Sequence, residues 1–201
     1  MNAIVEGLLD SIRDIQRLYR QDKHQVARRI RAVDLDVVGL EKLLPPPGDF
    51  PYGRMLLYQD ETMEVILMNW ARNKQSLPHD HGLSEGWAKV LRGTASHVCY
   101  KTGSEPPHAV SHQEVDEGDV FYAPKYMVHH TGNPTEDVLV TLHFYFPPIE
   151  NMEVFDPAAE RAAIVSSDCG AWWPDTPRQI VKSRNFGQHY EGVPAAADGV
   201  S

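Results

Sequence analysis

The chain has 201 residues, 42% of them hydrophobic and 23% charged, which is the composition of a globular protein rather than a disordered one. Nineteen Lys and Arg against 28 Asp and Glu leave a formal net charge of −9 with His neutral, an acidity that argues against nucleic acid as a partner. Two cysteines, Cys99 and Cys169, cannot build a disulfide framework, while ten histidines are many for this length.

The first residues carry Glu6, Asp10 and Asp14 and have no basic start before an apolar core, so they do not read as a targeting signal. No apolar run approaches the roughly 20 residues of a membrane span. A cytoplasmic protein without a membrane partner is the expectation, and a monomer is the default, with a homo-oligomer left open. Ile4, Leu8, Leu9, Ile12, Ile15 and Leu18 recur at spacings of mostly three and four, which predicts an amphipathic helix. Further helices are predicted at about 23–33 and 35–44. Pro45-Pro46-Pro47-Gly48 then ends helix formation, because proline lacks the N–H and disfavours helix before it. Residues 1–50 are therefore expected to form a helical segment packed on the rest of the chain.

The pattern changes after Pro51. Short β-rich runs fall at 54–58, 63–70, 87–91, 95–100, 109–113, 119–123 and 138–146, separated by turn residues such as Gly93, Gly118 and Gly132-Asn133-Pro134. Many short strands at near-regular spacing predict a mainly β barrel or sandwich over 51–155. Beyond it, 156–201 reads as an extension, with a short helix at 156–165, Trp172 and Trp173 capping the barrel, and a mobile small-residue tail at 194–201.

His79-Asp80-His81 places two imidazoles on one face of an extended backbone, where they can share a metal. Gly118, Pro124, His129 and Asn133 follow as G-x5-P-x4-H-x3-N. This second pattern resembles the second sequence motif of the cupin superfamily, with Tyr126 where a glycine is usual. His79-x-His81-x3-Glu85 resembles the first motif, with Asn73 in place of the upstream glycine and Gly93 one residue late. The resemblance implies a cupin, a small antiparallel β-barrel or jelly roll. Adjacent strand residues face opposite ways, so His129 and His130 cannot both join the pair, and the motif spacing selects His129. Glu85 is left with two readings: a fourth ligand, or a solvated loop glutamate that leaves metal positions open.

The run 138–146 carries Thr141, His143 and Tyr145 on one face and Val140, Leu142, Phe144 and Phe146 on the other. It is either a strand with one solvated face or a strand whose polar face lines a barrel interior as a hydrogen-bond chain. With Tyr52-Gly53-Arg54, Val90-Leu91-Arg92-Gly93, Asn133-Pro134 and Thr141 through Pro148, the stretch from about 52 to 155 is similar to the bacterial cysteine dioxygenases of the thiol dioxygenase family.

That resemblance implies oxidation of L-cysteine by O2 to cysteine sulfinic acid, with Fe(II) held by His79, His81 and His129. It implies a relay of Thr141, His143 and Tyr145, with threonine replacing the usual serine, and a substrate carboxylate held by Arg54 with Tyr52 nearby. Gly86 stands where mammalian members carry a cysteine cross-linked to the relay tyrosine, so Tyr145 is expected to be unmodified. Other small thiols, mercaptosuccinate or 3-mercaptopropionate, are the nearest alternatives. A non-oxygenase cupin, as isomerase, hydrolase or binding module, is the rival class. His130 is expected at the surface or in packing, both cysteines in packing, and His24, His97, His108, His112 and His189 at the surface.

Overall fold

The computed structural model describes residues 3–35, 44–101 and 103–190. Two helices come first, α1 (Ala3–Gln21) and α2 (His24–Arg31). Leu8, Ile12 and Ile15 of α1 and Val26 and Ile30 of α2 are buried. Lys89 donates to the carbonyls of Arg31 at 2.7 Å and Val33 at 2.5 Å, putting a cation at the negative end of α2. All but the end residues of the third predicted helix, 35–44, and all of the small-residue tail, 194–201, lie outside the described residues. Among the described residues no helix is long and apolar enough to cross a membrane.

The strands are β1 (Tyr52–Gln59), β2 (Glu64–Trp70), β3 (Lys74–Gln75), β4 (Glu85–Arg92), β5 (Thr94–Tyr100), β6 (Ala109–Asp116), β7 (Val120–Ala123), β8 (His129–Asn133), β9 (Leu139–Phe146), β10 (Glu153–Asp156), β11 (Arg161–Val165) and β12 (Ile180–Asn185). One sheet runs β1-β2-β9-β4-β7 and a second runs β3-β8-β5-β6. They make the antiparallel jelly roll of a cupin fold.

The first sheet has two buried faces. Val65 and Leu67 of β2, Trp87 and Leu91 of β4, and Val140, Leu142, Phe144 and Phe146 of β9 pack outward against α1 and α2. Their alternate neighbours, Ile66, Met68, Trp70, Ala88, Val90 and Tyr145, face the barrel interior. All eight residues of β9 are buried. Its apolar face serves the helices, so its polar face must serve the interior: water has access to neither.

The C-terminal region departs from its predicted helix at 156–165. Those residues form the turn and second strand of a hairpin, β10 paired with β11, and β11 pairs again with β12. Arg161 donates to Asp156 through Nε at 3.0 Å and Nη2 at 2.9 Å across the turn. Alanine's helical preference is a local effect, and pairing on both edges of β11 outweighs it. Residues 78–80 join this third sheet to the barrel. The His79 N–H bonds the His129 carbonyl at 2.9 Å on one side, and the Asp80 N–H bonds the Glu153 carbonyl at 3.0 Å on the other. Asn73 and Tyr126, the two residues in glycine's usual places, adopt φ of 53° and 59°, so the turns keep the left-handed backbone that glycine adopts without cost.

Candidate metal centre and pocket

The segment at 78–81 and the first residue of β8 carry His79, His81 and His129 into the barrel. Their ligand atoms lie within 4.8 Å of one another, and all three rings are buried. His129 Nε2 and His81 Nε2 are 3.3 Å apart. Two nitrogens each about 2.0–2.1 Å from one metal, at angles from 90° to tetrahedral, stand roughly 2.9–3.4 Å apart, so the spacing suits a shared ion. His79 Nδ1–H donates to the Leu77 carbonyl at 2.8 Å, which leaves Nε2 with its lone pair. Burial pushes the pKa of His79 down to about 4, and burial with neighbouring histidines holds His81 and His129 well below the usual range. Neutral imidazoles are what a metal ion needs.

The histidines open on a cavity of about 360 Å³, also lined by Tyr52, Arg54, Glu64, His143, Tyr145 and Cys169. On β9 the three polar side chains form one chain. Trp70 Nε1–H donates to Thr141 Oγ1 at 2.8 Å, Thr141 Oγ1 meets His143 Nε2 at 2.7 Å, and His143 Nδ1 meets the Tyr145 hydroxyl at 2.9 Å. Burial takes His143 down to about 3 and holds the Tyr145 phenol well above its usual range, so both stay neutral. At the cavity edge Arg54 donates through Nη2 to the Ser167 carbonyl at 2.9 Å. Tyr52 is buried beside it, and its hydroxyl accepts the Ala171 N–H at 2.8 Å. All eight candidate site residues thus lie in or beside one cavity.

Glu85 answers to neither of its readings. It is buried, but on the helix side of β4, where Tyr19 and Tyr122 hydroxyls donate to it at 2.6 Å each and Lys23 Nζ completes the shell. Burial works to raise its pKa, but these donors outweigh it and hold the carboxyl below its usual range. The inward residue is its neighbour Gly86, which faces Tyr145 across the strands. His130 is a packing residue, buried with Nδ1 2.7 Å from the Tyr100 hydroxyl. Cys169 is buried and its thiol is pushed up to about 11 by burial, as suits packing.

Two inward residues escaped the sequence reading. His97, expected at the surface, is 1% exposed and its Nε2 lies 2.8 Å from His129 Nδ1. Glu64 is buried on the cavity wall and accepts the Ile149 N–H at 2.9 Å. Burial raises its pKa against the opposing effects of that Ile149 bond and of Arg54. Alternation was the available signal: His97 shares its face with Ala95, and Glu64 with Ile66, Met68 and Trp70.

Residues 59–156 match the family model described as Cupin. Among solved structures the chain is similar to KdgF from Halomonas sp., at 18% identity over 48% of this chain and 79% of that one, with a TM-score of 0.40. It is similar to TT1209 from Thermus thermophilus at 17% identity, over 54% of this chain and 93% of that one, TM-score 0.46. It is also similar to oxalate decarboxylase from Lactobacillus farciminis at 19% identity, over 56% of this chain and 33% of that one, TM-score 0.45. Residues 59–156 of this chain form a cupin domain.

Proposed function

We propose that this protein is an iron-dependent thiol dioxygenase that converts L-cysteine and O2 into cysteine sulfinic acid. One observation carries the reading: the chain Trp70–Thr141–His143–Tyr145 ends in the cavity that holds three neutral histidines and the edge of Arg54. In the balanced reaction both atoms of O2 end on sulfur, which loses four electrons, and the thiol becomes the sulfinic acid. Ferrous iron on His79, His81 and His129 would supply the redox chemistry that brings O2 to a thiol.

The chain's own residues supply the rest. Arg54 offers a planar fork for the substrate carboxylate, and the Tyr52 hydroxyl, already accepting the Ala171 N–H, keeps its own proton to donate. Indole nitrogen is only a donor, so Thr141 accepts from Trp70 and directs its own proton to His143 Nε2. Neutral His143 then carries its proton on Nδ1 and donates it to the Tyr145 oxygen. Tyr145's proton is left to point into the cavity, where it donates to substrate sulfur or oxygen. Glu64 on the same wall weighs against a thiol with a second carboxylate, such as mercaptosuccinate, and in favour of a zwitterionic amino acid.

Oxygen uptake by the metal-stripped protein reloaded anaerobically with Fe(II) tests the proposal, using L-cysteine, D-cysteine, 3-mercaptopropionate and mercaptosuccinate. One sulfinate per O2, fastest with L-cysteine, is expected. Equal turnover with zinc, which has no redox chemistry, would make the protein a different kind of cupin enzyme.

A further inference from the structure

The three candidate ligands are supported differently from behind. His79 Nδ1 faces a backbone carbonyl. His81 Nδ1 is buried with no hydrogen-bond partner. His129 Nδ1 faces another imidazole, His97 Nε2, at 2.8 Å, with the two rings nearly perpendicular at 83°. Behind His97, Gln113 brings its side-chain amide to Nδ1 at 3.0 Å, from the position directly across on β6. The row Gln113–His97–His129 therefore runs along the inner face of the second sheet, from its exposed edge strand β6 to the centre of the site.

We propose that His97, backed by Gln113, is a positioning residue that sets the tautomer and ring orientation of His129 for metal binding. The inference rests on the three-histidine metal site and is independent of thiol chemistry.

A carbonyl can only accept, so it fixes one tautomer. An imidazole can accept or donate, so the row has two self-consistent states. In one, Gln113 N–H donates to His97 Nδ1, His97 Nε2–H donates to His129 Nδ1, and the His129 proton sits on Nε2, facing His81 Nε2. That state blocks the ligand nitrogen. In the other, His129 Nδ1–H donates to His97 Nε2, and His97 Nδ1–H donates to the Gln113 side-chain oxygen after a half-turn of the amide. That state frees His129 Nε2 for a metal, and neither ring changes charge. The buried ring of His97 is held on its face by Phe121, with centroids 4.5 Å apart, so the state of His129 is passed to Gln113 rather than lost in ring motion.

The test is Co2+ affinity of the chelator-stripped full chain, by competition with a chromophoric chelator, together with the visible spectrum of the bound ion. His97→Phe keeps bulk but neither donates nor accepts, and roughly 10- to 100-fold weaker binding with a changed spectrum is expected. His97→Gln places an amide oxygen near the site of Nε2 and should restore most of the affinity. Gln113→Leu should weaken binding in the same direction by less. Affinities within about two-fold of the parent for both His97→Phe and Gln113→Leu would overturn the inference, given the losses such outer partners normally cause. If His97→Phe does not fold, Gln113→Leu, on the exposed edge strand, decides alone. A parent protein that takes up no Co2+ would instead sink the metal site itself. A parent that binds one ion beside unaffected variants sinks only the role of His97.

Discussion

Gly86 and Tyr145 face each other across β4 and β9 so closely that a Cβ on Gly86 would lie 2.6 Å from the tyrosine ring. The ring is buried and stands edge-on to His81 at 4.8 Å, so it can yield only by leaving its place on the cavity wall. Gly86→Ala should therefore cost about 1–3 kcal/mol of stability through overpacking and turn the Tyr145 hydroxyl away from the cavity. Urea unfolding and oxygen uptake at full iron content check both parts. Parental values for each would mean that Tyr145 shifts freely and that its place is not set by the glycine.

Tyr145→Phe removes the proton at the end of the chain without removing a ligand. Turnover should fall by roughly 100-fold, at the lower end of general-acid effects, with iron content unchanged. Trp70→Phe should slow turnover less, because Thr141 is then free to reverse its hydroxyl. Loss of iron from Tyr145→Phe would recast the residue as structural or as a ligand.

Arg54→Ala should raise the KM for L-cysteine by roughly 10- to 100-fold, the worth of a charged hydrogen bond, and leave the KM for cysteamine nearly unchanged. Cysteamine has the same thiol and amine without the carboxylate. Equal effects on both substrates would remove Arg54 from carboxylate binding.

Glu85→Ala leaves Tyr19, Tyr122 and Lys23 without their common acceptor beneath α1. Stability should fall by about 1–3 kcal/mol, with metal stoichiometry untouched. Thermal unfolding with metal analysis separates this from a ligand role, in which the metal would leave before the fold does.

The metal-free protein should lose stability steeply as pH falls below about 6.5. His79 and His97 are depressed to about 4 and His143 to about 3 by burial. Each binds protons in the unfolded chain before it does in the folded one, so their contribution is present above the unfolded pKa and lost as pH falls toward the folded values. Asp80, raised to about 6 by burial, works in the opposite sense as a single group. Unfolding midpoints between pH 7 and 5 should show a clear decline, and a flat profile would contradict the burial of these rings.

Strand β9 was legible because its two faces differ so sharply. Four apolar side chains against a hydroxyl, an imidazole and a phenol already implied two different surroundings, and the fold supplies helices for one and the cavity for the other. His79, His81 and His129 were legible through spacing. Glu85 was misread because the phase of β4 decides its direction. Ala88 and Val90 are the inward residues, so Gly86 is inward too and Glu85 is not. His97 was hidden for a different reason. Its role depends on β5 lying beside β8, a pairing between residues about thirty apart that no local pattern contains. The hairpin at 153–165 was lost to local helical preference, which partner strands overrode.

Residues 78–80 are bonded on both edges, to β8 by His79 and to β10 by Asp80. So short a segment behaves as an interior strand only while both flanking partners are present. The third sheet supplies no ligand, yet it is one of the two rails on which His79 rides. Removing the chain beyond about residue 150 would therefore register first as lost metal retention, and a protein trimmed to its recognisable barrel would look like a poor metal binder for reasons of carpentry rather than of coordination chemistry.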